Sequence, residues 1–364
     1  MRPQIGFDTR RSSVVRYAGR APKESWVTRR MPHDLAIDWE SVREHPRIGD
    51  ILLCEVVQTS LHGRLETRRG DRAQLYAGDL VICAVGSRYA TALLEGVGDI
   101  SGPRADLLSA SGVCGRVIER SDKTARPTEL TVLAQAWSND VPLSLRSFCL
   151  DPVDSGGSEP AWILVVGSAM DSGKTTACTT LINGLVRQGL RVGAAKLTGT
   201  ASCRDVNSFR DAGADPVLDF LDCGWPSTAG CSTDELASIA RTLTGTLKLS
   251  GVDACVIEIA DGLLQPETEA LIDHLRSTLS VTGVILTVRE SLAAVAGVER
   301  LAARGLKVSA VSGVVSSSPL ACREIELATG LPCVRTSELG SAAALHAYLN
   351  DVIAAPARRA PTAV

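Results

Sequence analysis

The feature that most constrains the fold is a glycine-rich loop between an apolar run and a helical pattern. Residues 167–176 read Gly-Ser-Ala-Met-Asp-Ser-Gly-Lys-Thr-Thr, after the apolar residues 161–166 and before a helical pattern at 177–187. In such loops the turn amides and the positive helix end hold phosphate, the lysine reaches the outer phosphates, and the hydroxyl holds Mg²⁺. The residues that we predict to bind a nucleoside triphosphate are Gly167, Ser172, Gly173, Lys174, Thr175 and Thr176.

The spacing inside this loop is unusual. Five residues, 168–172, separate Gly167 from the Gly-Lys pair, whereas the usual loop has four. A Gly-Lys-Thr sequence that occurs by chance rarely has both a strand before the loop and a helix after it, so we favour nucleotide binding over a fortuitous helix cap.

Length and composition fit an ordinary globular protein. The 364 residues suffice for two domains, and the chain is 45% hydrophobic and 22% charged with a net charge of −3. No apolar run approaches the roughly 18 residues of a membrane span. The N-terminus has no hydrophobic signal core, so we expect a cytoplasmic protein.

Residues 1–45 are basic and irregular in pattern. A nucleic-acid arm is one interpretation, but a solvated or loosely docked tail is favoured, because no aromatic platform or further basic patch accompanies it.

Eleven cysteines are spread along the chain without a Cys-x-x-Cys motif. Several of them, including Cys54, Cys83 and Cys255, lie in apolar runs, where cysteine acts as a small hydrophobe. We therefore expect a structural role for them rather than zinc ligation or disulfides. The five histidines show no ligand spacing, and no metal cluster is predicted.

The pattern changes along the chain. Residues 46–150 contain short apolar runs separated by turns, which predicts a small β-rich sheet or barrel. Residues 151–160 are rich in Gly, Ser and Pro and form a predicted linker to the P-loop domain at 161–364. The strands predicted in that domain are 162–167, 191–197, 215–221, 253–259, 282–288 and 308–315. The predicted helices are 173–188, 233–247, 266–277, 290–303, 319–329 and 339–353. This alternation predicts an α/β fold with a doubly wound, mainly parallel sheet.

Candidate site residues follow the predicted strands, where ligands of such sheets bind. Lys196 ends the second strand, and a lysine leaving a buried strand is costly unless it meets an anion. Glu258 lies near the end of the strand predicted at 253–259 and Asp261 follows that strand, and either acid could serve the Mg²⁺ beside the phosphate loop. Residues 202–214 mix Arg, Asp, Asn and Ser. This segment suits a polar substrate, which Arg204, Asp205 and Arg210 would contact, and it equally suits a solvated helix with internal ion pairs.

These motifs resemble dethiobiotin synthetase, CTP synthase and related P-loop proteins of the SIMIBI class. Asp171 stands two positions before the glycine of Gly-Lys-Thr, as an acid does in dethiobiotin synthetase. Lys196 and Thr200 fit the lysine that ends the second strand of that family and the serine four residues later. The turn 258–262 fits the metal-side turn of that family in part.

The resemblance extends over residues 160–340. Residues 314–318, with Ser316, correspond to the base-reading loop, although the asparagine often found there is missing. Residues 46–150 have no counterpart in dethiobiotin synthetase, but the whole chain also resembles two-domain P-loop proteins with a small N-terminal domain.

The resemblance implies an ATP- and Mg²⁺-dependent enzyme that activates a carboxylate or carbamate of a small polar metabolite by phosphoryl transfer, as a ligase or kinase does. Lys174, Lys196 and Asp171 would be catalytic, and Thr200, Arg204, Asp205 and Arg210 would contact the substrate. The alternative is a nucleotide-switch protein that assists cofactor or metallocentre assembly. The sequence shows neither a Cys/His metal motif nor an Asn-Lys-x-Asp guanine reader, which favours the enzyme.

Other questions stay open from the sequence. A group-transfer enzyme that holds a nucleotide-containing cofactor is a third, weaker interpretation. The choice between ATP and GTP stays open, and so does the oligomeric state, a homodimer included.

Overall fold

The computed structural model describes residues 21–42, 45–153 and 156–350. The chain forms two compact units, the first mainly N-terminal and the second mainly C-terminal, with the division after Leu150. The first unit also takes in Thr200–Arg204 and Phe220–Ala229. The sequence assigned both of these short segments to the P-loop domain, so the units differ from the expected division at these two places.

The first unit is built from twelve described strands. They are β1 Lys23–Glu24, β2 Asp38–Glu40, β3 Ile51–Gln58, β4 Arg64–Glu66, β5 Arg72–Gln74, β6 Leu80–Val85, β7 Arg88–Ala90, β8 Leu94–Val97, β9 Arg104–Leu107, β10 Val113–Arg120, β11 Thr128–Ser138 and β12 Val141–Pro142. Five of them pair in the order β6-β3-β11-β9-β10, and β10 pairs again with β6. This ring closes a small barrel, one of the two forms that the sequence left open.

Period-two alternation in the strand sequences fills the barrel. Successive side chains of a strand point to opposite faces, so every second residue of a barrel strand turns inward. Leu52, Cys54 and Val56 of β3 and Val81 and Cys83 of β6 belong to one buried apolar cluster. This cluster is the core of the first unit.

Residues 21–42 differ from the irregular N-terminal segment that the sequence predicted. Within the described residues, β1 pairs with β6 and β2 pairs with β11. Trp26 and Val27, which follow β1, are buried. The sequence analysis, which described residues 1–45 as basic and irregular, did not identify these two buried apolar residues. The arginines that suggested a tail at its start, Arg10, Arg11, Arg16 and Arg20, lie outside the described residues.

The second unit contains six parallel strands and seven described helices. The strands are β13 Ala161–Gly167, β14 Val192–Lys196, β15 Val217–Asp219, β16 Ala254–Glu258, β17 Val281–Thr287 and β18 Ala310–Ser312. The helices are α1 Lys174–Arg187, α2 Cys203–Asp211, α3 Thr233–Leu249, α4 Pro266–Thr278, α5 Ser291–Ala303, α6 Pro319–Thr329 and α7 Ala342–Tyr348.

The sheet order is β15-β14-β16-β13-β17-β18, and the pairings are parallel throughout the described residues. The predicted parallel α/β fold is therefore confirmed. The chain runs outward from β13 to β15 on one side, returns through β16, and continues to β18 on the other. Helices α1, α3 and α5 pack against the strands, which explains why these strands are mainly apolar before their carboxyl-terminal residues.

Local signals explain where the helices begin. Helix α3 follows Ser232, whose Oγ accepts from Glu235 N, while the Glu235 carboxylate accepts from Ser232 N at 2.8 Å.

Helix α2 corresponds to the segment 202–214 that the sequence left open between a substrate loop and a helix. Helix α7 is shorter than the predicted 339–353, of which 351–353 lie outside the described residues. No helix among the described residues is both long and apolar enough to cross a bilayer.

Candidate functional site

The phosphate loop joins β13 to α1, and its lysine lies across the loop itself. Gly173 has a φ of 100° and stands immediately before the helix, which begins at Lys174. The Lys174 Nζ donates to Ala169 O at 2.9 Å and to Asp261 O at 2.5 Å, and the residue is only 6% exposed. Burial lowers the pKa of Lys174, while the Glu258 carboxylate opposes that effect. Both of these hydrogen bonds go to backbone carbonyl oxygens rather than to carboxylates.

Gly167 is required by this arrangement. A Cβ at that position would lie 2.4 Å from Ser172 Oγ and 2.9 Å from Lys174 Nζ. Ser172 is fully buried, and its hydroxyl is 2.8 Å from that of Thr287 at the end of β17. This contact anchors the loop to the sheet and involves a residue that the sequence analysis missed. A polar residue ending an apolar strand is the signal that would have identified Thr287.

A second segment braces the loop from the end of β18. Val314 N donates to Ser172 O at 3.0 Å. Gly313 has a φ of 95°, and a Cβ there would stand 2.3 Å from Ser172 O. Only glycine permits this approach, because the conformation is left-handed and the space is occupied.

Asp171 stands at the exposed tip of the loop. Its φ of 58° is left-handed, a conformation that aspartate tolerates better than most residues. Its backbone O accepts from Arg289 Nη1 at 3.5 Å. The catalytic role expected for its carboxylate stays a prediction.

Glu258 and Thr175 form the metal side of the site. Glu258 ends β16, the strand beside β13, and is 2% exposed. Its Oε1 accepts from Thr175 Oγ1 at 3.4 Å. Its Oε2 is buried without a hydrogen-bond partner among the described residues. A buried, unsatisfied carboxylate oxygen beside a hydroxyl fits Mg²⁺, which prefers hard oxygen ligands.

Of the two acids that the sequence proposed for the metal, Glu258 has the direct contact with Thr175. Asp261 meets the loop through its backbone O, which accepts from Lys174. Burial raises the pKa of Glu258, an effect that the Lys196 ammonium opposes. A cation bound at Oε2 would stabilise the ionised form in the same way.

Lys196 joins Glu258 to helix α2. It ends β14 in register with Glu258 on β16. Its Nζ forms an ion pair with Asp205 in the first turn of α2 and lies 3.7 Å from Glu258 Oε1. Burial lowers the pKa of Lys196, but the Asp205 and Glu258 carboxylates outweigh it and raise the pKa above its usual range. Lys196, Asp205 and Glu258 are called the Lys196 cluster below.

The Lys196 cluster differs from the expectation that Lys196 awaits a substrate anion. At 9% exposure, the ammonium is compensated by two carboxylates of the protein itself. The cost of burying the lysine at the strand end is therefore offset internally. A substrate anion would compete with these two carboxylates for the ammonium, and a catalytic role for Lys196 stays a prediction.

The four predicted substrate residues are not equivalent. Asp205 contacts Lys196, whereas Arg204 and Arg210 are exposed on α2, and Arg210 Nη1 donates to Asn207 Oδ1 at 3.4 Å. Thr200 forms an isolated bridge with Ser227. Thr200 and Arg204 belong to the first unit, and Asp205 and Arg210 to the second. A substrate role for these residues stays a prediction.

A cavity of about 530 Å³ opens beside the phosphate loop. Its lining comes from the loop, the end of β18 and the residues after Val334: Gly173, Thr176, Gly313, Val314, Ser316, Ser317, Arg335, Thr336 and Ser337. The predicted nucleotide residues Thr176 and Ser316 both line it. Ser316 Oγ donates to Gly313 O at 2.7 Å and accepts from Thr336 N at 3.1 Å, so this hydroxyl also holds the wall together.

Arg335 and Thr336 are cavity residues that the sequence analysis missed. They follow the short apolar run 331–334. The bridge between Val311 and Cys333 continues the edge of the sheet at that run. A polar pair after such a run is the same signal that identified Lys196 and Glu258.

The second unit thus combines a parallel α/β sheet with a glycine-rich loop of the phosphate-binding type between its first strand and first helix. Neither a protein-family model nor a curated protein matches the chain. Among solved structures, it is similar to the signal recognition particle receptor FtsY of Elizabethkingia anophelis, at 21% identity over 44% of this chain and 51% of that one, with a TM-score of 0.31.

Two further similar structures contain GDP. One is the same receptor, at 18% identity over 50% of this chain and 57% of that one, with a TM-score of 0.34. The other is the signal recognition particle 54 kDa protein of Aeropyrum pernix K1, at 19% identity over 56% of this chain and 50% of that one, with a TM-score of 0.37. The chain thus spans about half the length of these proteins. The resemblance to dethiobiotin synthetase stays an expectation from the sequence, and function is argued from the site.

Proposed function

We propose that this protein is a Mg²⁺-dependent ATPase whose nucleotide state controls helix α2. The observation that carries the proposal is the buried lysine that links Asp205 of α2 to Glu258 beside the phosphate loop. This is the nucleotide-switch alternative of the sequence analysis. It is preferred because both near partners of Lys196 are protein carboxylates, one of which belongs to a helix.

Lys174 and the loop would handle the phosphates. The Nζ is held by two backbone carbonyls, Ala169 O and Asp261 O. A triphosphate offers anionic oxygens, which are stronger acceptors for an ammonium than neutral carbonyls. Lys174 would therefore exchange these carbonyls for the outer phosphates and neutralise charge that develops during hydrolysis.

Glu258 and Thr175 would hold Mg²⁺ through one carboxylate and one hydroxyl oxygen. Bound Mg²⁺ would neutralise phosphate charge in the transition state. No described residue donates a hydrogen bond to Glu258 Oε2, so this buried oxygen is available to the metal ion. Asp261 stays the second candidate.

The Lys196 cluster would transmit the metal-bound state. In the described arrangement the Lys196 ammonium is attracted by both Glu258 and Asp205. Once Glu258 is neutralised by a divalent cation, that attraction is offset, and the position of Lys196 depends on Asp205 alone. The balance of charges at the start of α2 thus differs between the two states. Such a difference is what a switch element needs.

The lining of the cavity favours adenine over guanine. A carboxylate is the strongest acceptor that a protein can offer to the ring N–H and exocyclic amine of guanine. The residues that line the described cavity supply hydroxyls, backbone groups and the Arg335 guanidinium, and none carries a carboxylate. ATP is therefore the nucleotide that we propose.

A second function is favoured by one observation, the position of Lys196 at the carboxyl end of β14 within 3.7 Å of Glu258. An enzyme that activates a small carboxylate or carbamate would need a cation at this edge of the sheet. The two functions differ in what drives turnover. A metabolite-dependent rate indicates the enzyme, whereas a basal rate unaffected by metabolites indicates the switch.

Hydrogen exchange of α2 tests the proposal. We expect Mg²⁺ with a non-hydrolysable ATP analogue to change amide protection in residues 205–211 of the wild-type chain. The Asp205→Asn variant should bind the analogue but lose this response, because the link to Lys196 is broken. The matched control is Asp211→Asn, at the other end of the same helix. Unchanged exchange in wild-type α2, despite saturating nucleotide, would contradict the switch.

A further inference from the structure

Three cysteines of the first unit meet inside the barrel. Cys54 lies on β3, Cys83 on β6 and Cys114 on β10, and all three are fully buried. Their Sγ atoms all lie within 4.8 Å of one another. No other histidine, cysteine or carboxylate joins this group within the part of the chain that the structure describes. The cysteine cluster, as we call these three residues, is separate from the phosphate loop.

The strand pairing explains how residues far apart in sequence converge. β6 lies between β3 and β10 in the closed ring, with Leu52 opposite Cys83 and Val85 opposite Cys114. Inward-facing positions of three adjacent strands therefore point at one place. A role as small hydrophobes does not require the three sulfur atoms to come together. Buried Cys255 on β16, for example, belongs to no such group among the described residues.

The separation of the sulfur atoms suits a single metal ion. Three sulfur ligands at about 2.3 Å around one ion stand about 4 Å apart in a trigonal plane. The observed limit of 4.8 Å allows this geometry with small side-chain adjustments. A protein disulfide would join only two of the three and would leave the third unused.

The donor set indicates which ion fits. Thiolate ligands select Cu(I), zinc and iron–sulfur clusters over hard cations. Structural zinc is almost always four-coordinate, and the group offers three donors. Other members of the buried cluster around them, such as Val56, Leu107 and Leu130, are apolar and offer no ligand atom, while Cys114 Sγ donates to the backbone oxygen of Ala84 at 3.4 Å. A soft monovalent ion that accepts three sulfur ligands is the remaining fit.

We propose that Cys54, Cys83 and Cys114 bind one cuprous ion in the barrel core, each thiol releasing its proton to solvent as its sulfur binds the ion. Because the three side chains are fully buried, the ion enters before the barrel closes, while the chain folds. The ion then joins β3, β6 and β10 and stabilises the closed form of the first unit.

Metal analysis of the full-length chain tests this proposal. The protein is produced in cells grown with added copper, purified without oxygen and exposed to a cuprous chelator. We expect about one copper per chain in the wild type, held as Cu(I) with three sulfur neighbours in its X-ray absorption spectrum. Cys83→Ala should lose the copper. Cys255→Ala, the same change at a buried cysteine outside the cluster, should keep it.

The outcomes separate a metal site from packed hydrophobes. If Cys83→Ala fails to fold, the wild-type metal content and spectrum still decide the question. Wild-type protein without copper would overturn the proposal, and so would equal copper in both variants. Stoichiometric zinc in place of copper would also overturn it. Fewer than eleven free thiols after denaturation and removal of metal would indicate a disulfide instead and contradict the site.

Discussion

Replacing Lys196 by methionine tests whether Glu258 holds the metal, because the change alters the charge beside Glu258 and leaves the carboxylate itself in place. Lys196 Nζ lies 3.7 Å from Glu258 Oε1. At an effective dielectric constant of about 20, unit charges at this separation attract by about 4 kcal/mol. Burial already raises the pKa of Glu258, and the loss of this attraction raises the pKa further. Methionine retains most of the volume of the lysine stem, so packing changes little.

The consequence is measurable because Glu258 must be ionised to hold Mg²⁺. In the Lys196→Met variant, affinity for Mg²⁺–ATP should rise with pH by up to about tenfold per unit, the slope for one coupled proton. Wild-type affinity should depend less steeply on pH. Calorimetric titration in two buffers of different ionisation enthalpy measures the protons released on binding. Lys196→Arg keeps the charge and serves as the control. If Lys196→Met shows the wild-type pH profile and releases no additional proton, Glu258 is not the metal ligand.

Three further predictions concern stability and the loop. Glu258→Gln should lower the melting temperature at neutral pH by no more than a few degrees. The pKa of Glu258 is raised in the folded state, so the folded state is stabilised when this negative charge is removed. Differential scanning calorimetry measures the change. Burial and the Arg88 guanidinium lower the pKa of His62 from 6.5 to about 4. Between these pH values the His62 imidazole binds a proton in the unfolded chain but not in the folded one. The free energy of unfolding should therefore fall by up to about 3 kcal/mol as the pH drops from 6.5 to 4. Urea titrations should show this loss, and His62→Gln should flatten it. Gly313→Ala should lower the free energy of unfolding by roughly 1–3 kcal/mol and weaken ATP binding, because the new Cβ meets Ser172 O in a left-handed conformation. Gly230→Ala is the control. Its backbone is also left-handed but the space around it is open, so ATP binding should not change.

The parallel sheet of the second unit could be predicted because its strands are mainly apolar before their carboxyl-terminal residues. Strands buried on both faces read as continuous runs, such as the one before Gly167, and their flanking helices keep a regular period. The segment 21–42 could not be predicted in the same way. Its strands are two or three residues long and are held by partners distant in sequence, β6 and β11. Tertiary pairing of this kind leaves little trace in local pattern.

The candidate site was predictable where position along a strand determines geometry. Lys174 meets Asp261 O and Thr175 meets Glu258 because the loop after β13 and the end of β16 lie at the same edge of the parallel sheet. The ion pair between Lys196 and Asp205 was not predictable, since it depends on where helix α2 lies. The cysteine cluster was missed for a similar reason. Its members are about thirty residues apart in sequence, and only closure of the barrel brings them together.

Binding of Mg²⁺–ATP to the wild-type chain and to Lys174→Ala tests the central claim most directly. Isothermal titration calorimetry should give one site per wild-type chain. In Lys174→Ala, affinity should fall by about a hundredfold, because a charge-assisted contact to the outer phosphates is removed. Arg187→Ala, an exposed change at the other end of α1, should bind as the wild type does. No binding by the folded wild-type chain, or equal affinity in Lys174→Ala, would contradict the account.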